Sequence, residues 1–187
     1  MTSGLDALTE KELARRALAG TQACYGELMR RHREAVYRLI RATIRDSDEA
    51  LDVTQESFIS AFAALSRYDG DRPFRLWISR IAINKCHDWA RRRTVRRFFT
   101  FARPIDEALD IRDIADTPEE HVAANESMAR LTTAIDSLPV RLRDVLVLRA
   151  IEDYSQAEAA HILGITEKAV ETRLYRARAK LSEKLRD

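Results

Sequence analysis

The feature that most constrains this chain is a pair of helix boundaries that follow one another closely. Ser155 and Glu158 have the S-x-x-E spacing of a capping box, in which each side chain accepts a hydrogen bond from the other residue's backbone N–H. Gly164 can adopt the positive φ at which helices end, and Thr166 offers a new N-cap directly afterwards. The segment therefore predicts a helix-turn-helix whose second helix is placed to enter a DNA groove.

The second helix of this motif has an apolar face and a polar face. Its apolar residues recur at intervals of four, three and four, and they are Val170, Leu174, Ala177 and Leu181. The polar face carries Lys168, Glu171, Thr172, Tyr175 and Arg176. Arginine and lysine bind guanine edges or phosphates, and threonine hydrogen-bonds to either. The sequence favours contact with DNA, and the alternative is a solvated face that packs against protein.

The remaining sequence also reads as helices separated by turns. Predicted helices run from Thr9 to Gly20, from Thr21 onward, from Ser47 to about Leu65 and from Phe74 to about Arg93. Residues 66–73 concentrate Asp, Gly and Pro, which indicates a loop. Helix resumes near Pro118 and again at Pro139. Since no segment alternates as a strand does, we predict an all-α fold.

The distribution of charge divides the chain although its net charge is only +2. Residues 80–97 carry seven basic residues and one acid (+6), whereas residues 98–126 carry eight acids and two arginines (−6). The acidic stretch also loses apolar periodicity and contains two prolines. We therefore predict two small helical domains joined by an acidic flexible linker, the second with the helix-turn-helix; their bounds are 1–97, 98–125 and 126–187.

Several classes of protein are excluded by what the sequence lacks. Its two cysteines, Cys24 and Cys86, lie far apart and form no zinc-ligand pattern, so we expect no metal site. There is no phosphate-binding loop, no H-E-x-x-H motif and no nucleophile pair, so we expect no catalytic residues, no cofactor and no enzyme activity. No signal peptide or membrane span is apparent. We expect a cytoplasmic protein with no direct membrane insertion.

The predicted helix from Phe74 has a polar stripe beside its apolar face. Phe74, Ile78, Ile81, Ala82 and Trp89 would face a core, whereas Arg80, Asn84, His87 and Arg91 form the stripe. Together with Trp77 as a stacking surface, this combination is typical of a groove for melted DNA. A solvated basic face and a core role for Trp77 are the alternatives. The run Arg91–Arg93 favours DNA, because such a charge density repels itself without an anion.

The helix from Ser47 has a mixed face opposite its predicted core residues. Leu51, Phe58, Phe62 and Leu65 are expected to be buried, and Asp52, Gln55, Glu56 and Ile59 lie on another side. Solvated charge accounts for the acids, whereas a docking surface for a larger protein would also account for Ile59. The residues alone favour the solvated face.

Three blocks in this order resemble a known family. They are DVTQESFISAF, FRLWISRIAINKCHDWARRR and, after the acidic linker, LPVRLRDVLVLRAIEDYSQAEAAHILGITEKAVETRLYRARAKL. The sequence is similar to bacterial sigma factors of the extracytoplasmic function class, and the similarity covers almost the whole chain.

The resemblance implies a role for each block. Members of the family bind core RNA polymerase through a helix that is matched here by Asp52, Gln55, Glu56 and Phe58, and Ile59 lies on the same face. The resemblance therefore implies that this face is a docking surface and not a solvated face. The resemblance implies that a second set of residues recognises and opens the minus-ten element of the promoter. These residues are Tyr68, Asp69, Gly70, Asp71, Arg72, Trp77, Arg80, Asn84, His87 and Arg91. The resemblance implies that a third set recognises the minus-thirty-five element, and these residues are Lys168, Glu171, Thr172, Arg173, Tyr175, Arg176 and Arg178.

Acidic residues at two sites depart from the expected pattern. Glu171 stands where the family commonly has a basic or small residue, so it either accepts a hydrogen bond from cytosine or weakens phosphate binding. Asp69 and Asp71 flank Gly70 in the loop, and acids beside DNA are expected to accept a hydrogen bond from a base. We therefore expect an unusual promoter preference.

The resemblance implies a promoter-specificity subunit with three partners: core RNA polymerase, promoter DNA and an anti-sigma factor. The linker would then pass near the polymerase active centre and the RNA exit path. The alternative function is a stand-alone helix-turn-helix transcriptional regulator, which would bind duplex DNA without polymerase.

Overall fold

The structure, a computed structural model, describes the backbone of residues 4–100 and 120–186 and the side chains of residues 4–96 and 128–186. Its eight α-helices are α1 (Glu10–Leu18), α2 (Gln22–Arg41), α3 (Ser47–Ala63), α4 (Phe74–Thr100), α5 (Glu120–Asp136), α6 (Val140–Leu146), α7 (Gln156–Leu163) and α8 (Glu167–Lys184). These ranges contain no β-strand, and the predicted all-α fold is confirmed.

The first unit consists of α1 to α4, with α2 at its centre. Helix α2 packs against α1, α3 and α4, and α3 also packs along α4. The fully buried side chains of the first unit include Leu13, Leu28, Leu39, Ile40, Phe58, Phe74 and Ile78. Because these residues recur with helical periodicity, each helix contributes one apolar face to a single core.

The helix boundaries in the first unit largely follow the predicted caps. The hydroxyl of Thr9 accepts from the N–H of Glu12 at 3.2 Å, as expected for an N-cap. Helix α4 continues to Thr100, beyond its predicted end near Arg93. Residues 101–119, which hold most of the predicted linker, lie outside the described residues.

The second unit consists of α5 to α8, of which α5, α6 and α7 each pack against α8. Both hydrogen bonds of the capping box are present, at 3.2 Å to the Ser155 hydroxyl and 2.7 Å to the Glu158 carboxylate. Gly164 ends α7 with φ 64°, and the hydroxyl of Thr166 accepts from the N–H of Ala169. The predicted helix-turn-helix is confirmed.

A π-helical turn, Val147–Ile151, follows α6 directly and was not predicted. A π turn holds one more residue than an α turn, and such turns are frequent at functional sites. After it, Asp153 adopts a left-handed conformation with φ 52°, which is uncommon for a residue other than glycine. The N–H of Tyr154 then donates to the carbonyl of Leu148 at 2.9 Å. This backbone path turns the side chain of Tyr154 toward the first unit.

The two units pack against each other through α4 and α7. Tyr154 is 2% exposed, and it belongs to one apolar cluster that also contains Leu28 and Ile78 of the first unit. The second unit keeps a smaller cluster of its own around Leu138, Leu146 and Ala177. The sequence predicted the two units but not their shared core. None of the helices in residues 4–100 and 120–186 has the length and hydrophobicity of a membrane span.

Candidate functional site

Helix α3 borders an open apolar groove. Met29, Leu51, Phe58, Ile59 and Phe62 line it, with Arg33, Thr54 and Gln55 beside them, and its volume is about 330 Å³. The side chain of Ile59 is 68% exposed. An open apolar groove of this kind is typical of a protein-binding surface.

The predicted burial of Leu51 is wrong, because Leu51 is exposed at the groove. The buried face of α3 is turned toward Thr54 and Ser57, whose hydroxyls each donate to the carbonyl four residues earlier at 2.7 Å. These local hydrogen bonds let two polar residues occupy the core. The apolar pattern alone placed the buried face at Leu51 and missed both polar residues.

The residues predicted to bind polymerase are distributed around this groove. Asp52, Gln55 and Ile59 are exposed, whereas Phe58 is buried beneath them. The carboxylate of Glu56 accepts from Arg92 of α4 at 3.2 Å. One open surface therefore combines an apolar centre with polar residues at its edge.

The loop before α4 is held in place by α1. The ammonium of Lys11 lies 2.6 Å from the carboxylate of Asp71, and a Cβ on Gly70 would lie 2.6 Å from the Lys11 side chain. The carboxylate of Glu10 accepts from the N–H of Phe74 at 2.7 Å, which anchors the start of α4. This packing leaves no room for a larger residue at Gly70 while Lys11 keeps its position.

Both acids of this loop have partners within the protein. The carboxylate of Asp69 accepts from the backbone N–H of Asp71 at 3.1 Å and lies 3.4 Å from Arg72. Asp71 is paired with Lys11. Without DNA, both acids are thus paired within the chain, and their expected hydrogen bonds to a DNA base stay a prediction.

An aromatic and cationic cavity of about 280 Å³ opens between the loop and α4. The rings of Tyr68 and Trp77 lie 5.4 Å apart at one side, and Asp69, Arg72, Arg80 and His161 complete the lining. Trp77 also packs against Phe74 with ring centroids 5.3 Å apart. Trp77 therefore contacts the core and also offers a surface to the cavity, combining the two alternatives that the sequence left open.

The predicted polar stripe follows one side of α4, but only part of it is open. Arg80, Asn84 and Arg91 are exposed. His87 is half-buried, and its Nε2 lies 2.9 Å from the carboxylate of Asp144 in the second unit. The hydrogen bond to this carboxylate raises the pKa of His87, against an opposing effect of burial.

The arginine run at the end of the predicted fourth helix is balanced within the protein. Arg91 pairs with Asp88, Arg92 reaches Glu56, and Arg93 lies 5.2 Å above the ring of Trp89. The indole N–H of Trp89 in turn donates to Glu49. The run therefore has partners within the chain, and its expected contact with DNA stays a prediction.

Helix α8 presents the predicted recognition residues on an accessible face. Lys168, Glu171, Thr172, Tyr175, Arg176 and Arg178 are exposed, and Arg173 is half-buried. The ammonium of Lys168 lies 2.9 Å from the carboxylate of Glu171, so the atypical acid is paired with a neighbouring cation. The hydroxyl of Thr172 donates to the Lys168 carbonyl at 2.8 Å.

A polar cluster between the units involves residues that the sequence did not single out. The hydroxyls of Tyr154 and Ser79 lie 2.7 Å apart, and Arg75 Nε donates to the Tyr154 hydroxyl at 3.0 Å. The Arg75 guanidinium also lies 4.0 Å from the centre of the Tyr154 ring and donates to the carbonyl of Glu152 at 2.9 Å. An aromatic residue just before a capping box signals packing at the helix start, but it does not identify the partner.

Comparison with known families accounts for both units. The family model described as Sigma-70 region 2 matches residues 28–96, and the one described as Sigma-70, region 4 matches residues 128–181. We use region 2 and region 4 for these parts of the chain below. Both matches lie within the predicted domain bounds.

Individual relatives cover nearly the whole chain. It is 40% identical over 176 residues to the RNA polymerase sigma factor CnrH of Cupriavidus metallidurans, covering 92% of each chain. It is 32% identical to the ECF RNA polymerase sigma factor SigM of Mycobacterium tuberculosis strain H37Rv, covering 95% of this chain and 85% of SigM.

A solved structure resembles the fold over a similar extent. The structure of CnrH in complex with the cytosolic domain of CnrY is 36% identical, covers 93% of this chain and 95% of that chain, and gives a TM-score of 0.67. The resemblance inferred from the sequence is thereby confirmed, and the chain belongs to the extracytoplasmic function (ECF) family of RNA polymerase sigma factors.

Proposed function

We propose that this chain is a promoter-specificity subunit that works in the cytoplasm. It joins core RNA polymerase, directs it to a dedicated set of promoters and helps to hold melted bases. Polymerase supplies the chemistry, and the chain catalyses no bond change itself. We propose that residues 1–97 form a domain that binds polymerase and the minus-ten element, and that residues 126–187 form a domain that binds the minus-thirty-five element. Residues 98–125 form the linker between these two domains.

The apolar groove on α3 supports the binding of polymerase. Ile59 and Gln55 line it with exposed side chains, and Asp52 is exposed on the same helix. A partner that covers Ile59 removes an exposed apolar side chain from water, which makes the free energy of binding more favourable. The polar residues at the edge of the groove set the orientation of the partner. Helix α3 packs along α4, and Glu56 pairs with Arg92 across this contact, so this surface keeps a constant relation to the DNA-binding helix.

The observation that carries the proposal furthest is the cavity beside α4. Tyr68 and Trp77 offer aromatic faces, and Arg72 and Arg80 offer cations at its edge. An unpaired base stacks on aromatic rings while arginine neutralises its phosphate, whereas a paired base inside a duplex cannot reach such rings. The cavity therefore suits a base flipped out at the minus-ten element, with Asn84 placed further along α4.

The exposed face of helix α8 supports the proposal that the chain recognises an upstream promoter element in double-stranded DNA. Its exposed Thr172 and Arg176 lie one helical turn apart and reach the same side as Tyr175, which is 75% exposed. This arrangement fits a helix in a major groove, where arginine binds guanine and threonine binds either bases or phosphates. Glu171 then adds an acceptor for cytosine once Lys168 turns to a phosphate.

We extend the proposal to an anti-sigma partner. The solved relative at 36% identity is a complex with the cytosolic domain of CnrY. By analogy, an anti-sigma protein binds the chain and prevents it from joining polymerase. Purified candidate proteins should abolish transcription when added before core enzyme and not after promoter opening.

Transcription from fragmented genomic DNA tests the function directly. Core polymerase with the purified chain should yield discrete 5′ ends that share two upstream sequence elements, and core polymerase alone should not. The alternative, a stand-alone helix-turn-helix regulator, predicts tight duplex binding by the chain alone and no new 5′ ends with core. That second pattern would overturn the proposal.

A further inference from the structure

We propose that α1 takes part in capturing the flipped base, and that Glu10 acts there as a positioning residue. Its carboxylate sets the start of α4, and through Phe74 it sets the aromatic walls of the cavity. This inference rests on the proposed function of that cavity. It gives a role to a helix that carries none of the residues predicted to bind polymerase or DNA.

Glu10 joins three helices through one carboxylate. One oxygen accepts from the backbone N–H of Phe74 at 2.7 Å, and the other lies 2.7 Å from Nε2 of His32 on α2. The side chain of His32 is itself buried. Contact with His32 and the N–H of Phe74 hold the pKa of Glu10 below its ordinary value of 4.5, against the effect of burial. The carboxylate is therefore ionised at neutral pH and available as an acceptor.

The start of α4 needs an acceptor from elsewhere in the chain. The first backbone N–H groups of a helix have no partner within the helix, and the helix dipole favours a negative charge near them. The residue directly before α4 is Pro73, whose side chain offers no acceptor. Glu10 supplies one from 64 residues earlier. Without its carboxylate, the N–H of Phe74 loses this acceptor in a partly buried site.

Phe74 connects Glu10 to the cavity. Its ring is fully buried, and its centroid lies 5.0 Å from that of His32. The same ring lies 5.2 Å from Tyr68 and 5.3 Å from Trp77, which are the aromatic walls of the cavity. Because buried side chains interdigitate with little free space, a displaced Phe74 moves both walls. One buried side chain thus transmits the position of the α4 start to the surface on which a base would stack.

Lys11 adds a weaker contact from the same helix. Its ammonium lies 2.6 Å from the carboxylate of Asp71, but the two side chains are 63% and 80% exposed. Exposed ion pairs contribute little, because water and salt screen them. The positioning effect is therefore assigned to Glu10, whose side chain is only 29% exposed.

The test compares Glu10→Ala with Glu12→Ala in the full chain. Glu12 is the matched control, because its side chain is 28% exposed on the same helix and pairs with Arg15 and Arg16 of that helix. Glu10→Gln is the rescue variant, since its amide oxygen can still accept from the N–H of Phe74.

Fluorine NMR of the free chain measures the geometry of the cavity. The chain has two tryptophans, Trp77 in the cavity and Trp89 further along α4, and labelling with fluorotryptophan gives a resonance for each. Trp89→Phe assigns the two resonances. We expect Glu10→Ala to shift the resonance of Trp77 and to leave that of Trp89 in place, whereas Glu12→Ala shifts neither. An unmoved Trp77 resonance in Glu10→Ala, or equal shifts in the two variants, overturns the positioning role.

Promoter opening measures the consequence for function. On a promoter found by transcription of genomic DNA, we expect Glu10→Ala to reduce permanganate reactivity of the melted region about tenfold, the order expected for one lost hydrogen bond. Glu10→Gln should recover most of this loss, and every variant should bind core polymerase with the affinity of the wild type. A parallel fall in core affinity, or Glu10→Gln as defective as Glu10→Ala, overturns the proposal.

Failure of the proposed function has a different signature. It would appear as no new 5′ ends with core polymerase and the wild-type chain. The fluorine measurement needs neither DNA nor polymerase, so it tests the link from Glu10 to Trp77 in that case as well.

Discussion

The Nε2 atom of His87 lies 2.9 Å from the buried carboxylate of Asp144, and the two residues belong to different regions of the chain. One histidine is thus shared between a predicted DNA contact and an interdomain contact. The protonation state of His87 therefore influences how firmly region 4 is held against α4.

We predict that Asp144→Asn lowers the pKa of His87. Its pKa is raised chiefly by the hydrogen bond to Asp144, while burial and Arg91 oppose this and Asp88 supports it. Because the pKa of His87 is raised in the folded chain, the stabilisation is fully present below the ordinary value of 6.5 and is lost as pH rises through the raised pKa. NMR titration of the His87 ring in the variant and in the wild type checks this. An unchanged His87 titration in the variant would contradict the ion pair.

We predict that Ile59→Ala weakens binding to core polymerase by about 1 to 2 kcal/mol, roughly five- to thirtyfold, through lost apolar contact. Ile59 is 68% exposed in the free chain, so the stability of the protein should change little. Leu18→Ala is the control, since Leu18 is an equally large aliphatic residue that is 52% exposed at the end of α1. Fluorescence anisotropy with labelled protein measures both affinities. Equal losses in the two variants would remove the groove as the docking site.

We predict that Asn84→Ala impairs promoter opening more than initial docking. Asn84 is exposed on α4 beyond the cavity, and in the proposed function its amide hydrogen-bonds to a base of the separated strand. The loss should be about 1 to 3 kcal/mol in the opening step. Permanganate footprinting of the melted region and a competitor-resistant binding assay separate the two steps. If docking and opening fell together, the residue would act before melting.

We predict that Arg176→Ala weakens use of promoters with an intact upstream element by about 1 to 3 kcal/mol. Arg176 is exposed on α8, and a lost bidentate contact to guanine acts at one position of the duplex. Transcription from a promoter pair that differs only in the upstream element provides the measurement. A uniform loss on both promoters would indicate a phosphate contact instead of base reading.

We predict that Gly164→Ala and Gly26→Ala have opposite effects on stability. Gly164 has φ 64°, so a side chain there costs about 1 to 2 kcal/mol. Gly26 lies exposed within α2 with open space around it, so alanine should stabilise by about 0.5 to 1 kcal/mol. Urea unfolding of the two variants beside the wild type gives both values. Destabilisation by both changes would show that the cost is not one of backbone conformation.

Features set by neighbouring residues were the ones that could be predicted. The capping box of Ser155 and Glu158 and the corner at Gly164 depend on contacts within a few residues, and all were found where expected. The buried face of α3 was predicted wrongly at Leu51, because Thr54 and Ser57 bury their hydroxyls by bonding to their own helix. Polarity alone could not reveal that.

Contacts between distant residues were beyond such reasoning. The partner of Arg92 is Glu56, 36 residues earlier, and the partner of Tyr154 is Ser79, 75 residues earlier. The second pairing depends further on the π turn and on the left-handed Asp153, neither of which leaves a periodic signal in the sequence. Charge and aromatic patterns in the sequence indicated which residues need interaction partners. The identity of those partners depends on the tertiary structure and could not be predicted from the patterns.

The position of Tyr154 ahead of the helix-turn-helix has a consequence for building hybrid regulators. Exchanging residues 126–187 for those of a relative replaces Asp144 and Tyr154 together with α8, so a hybrid changes the contacts between its two units as well as its target sequence. Grafting only the exposed residues of α8 leaves the segment from Asp144 to Tyr154 in place. Hybrids made in this second way would compare promoter choice among proteins that share the same contacts between the units.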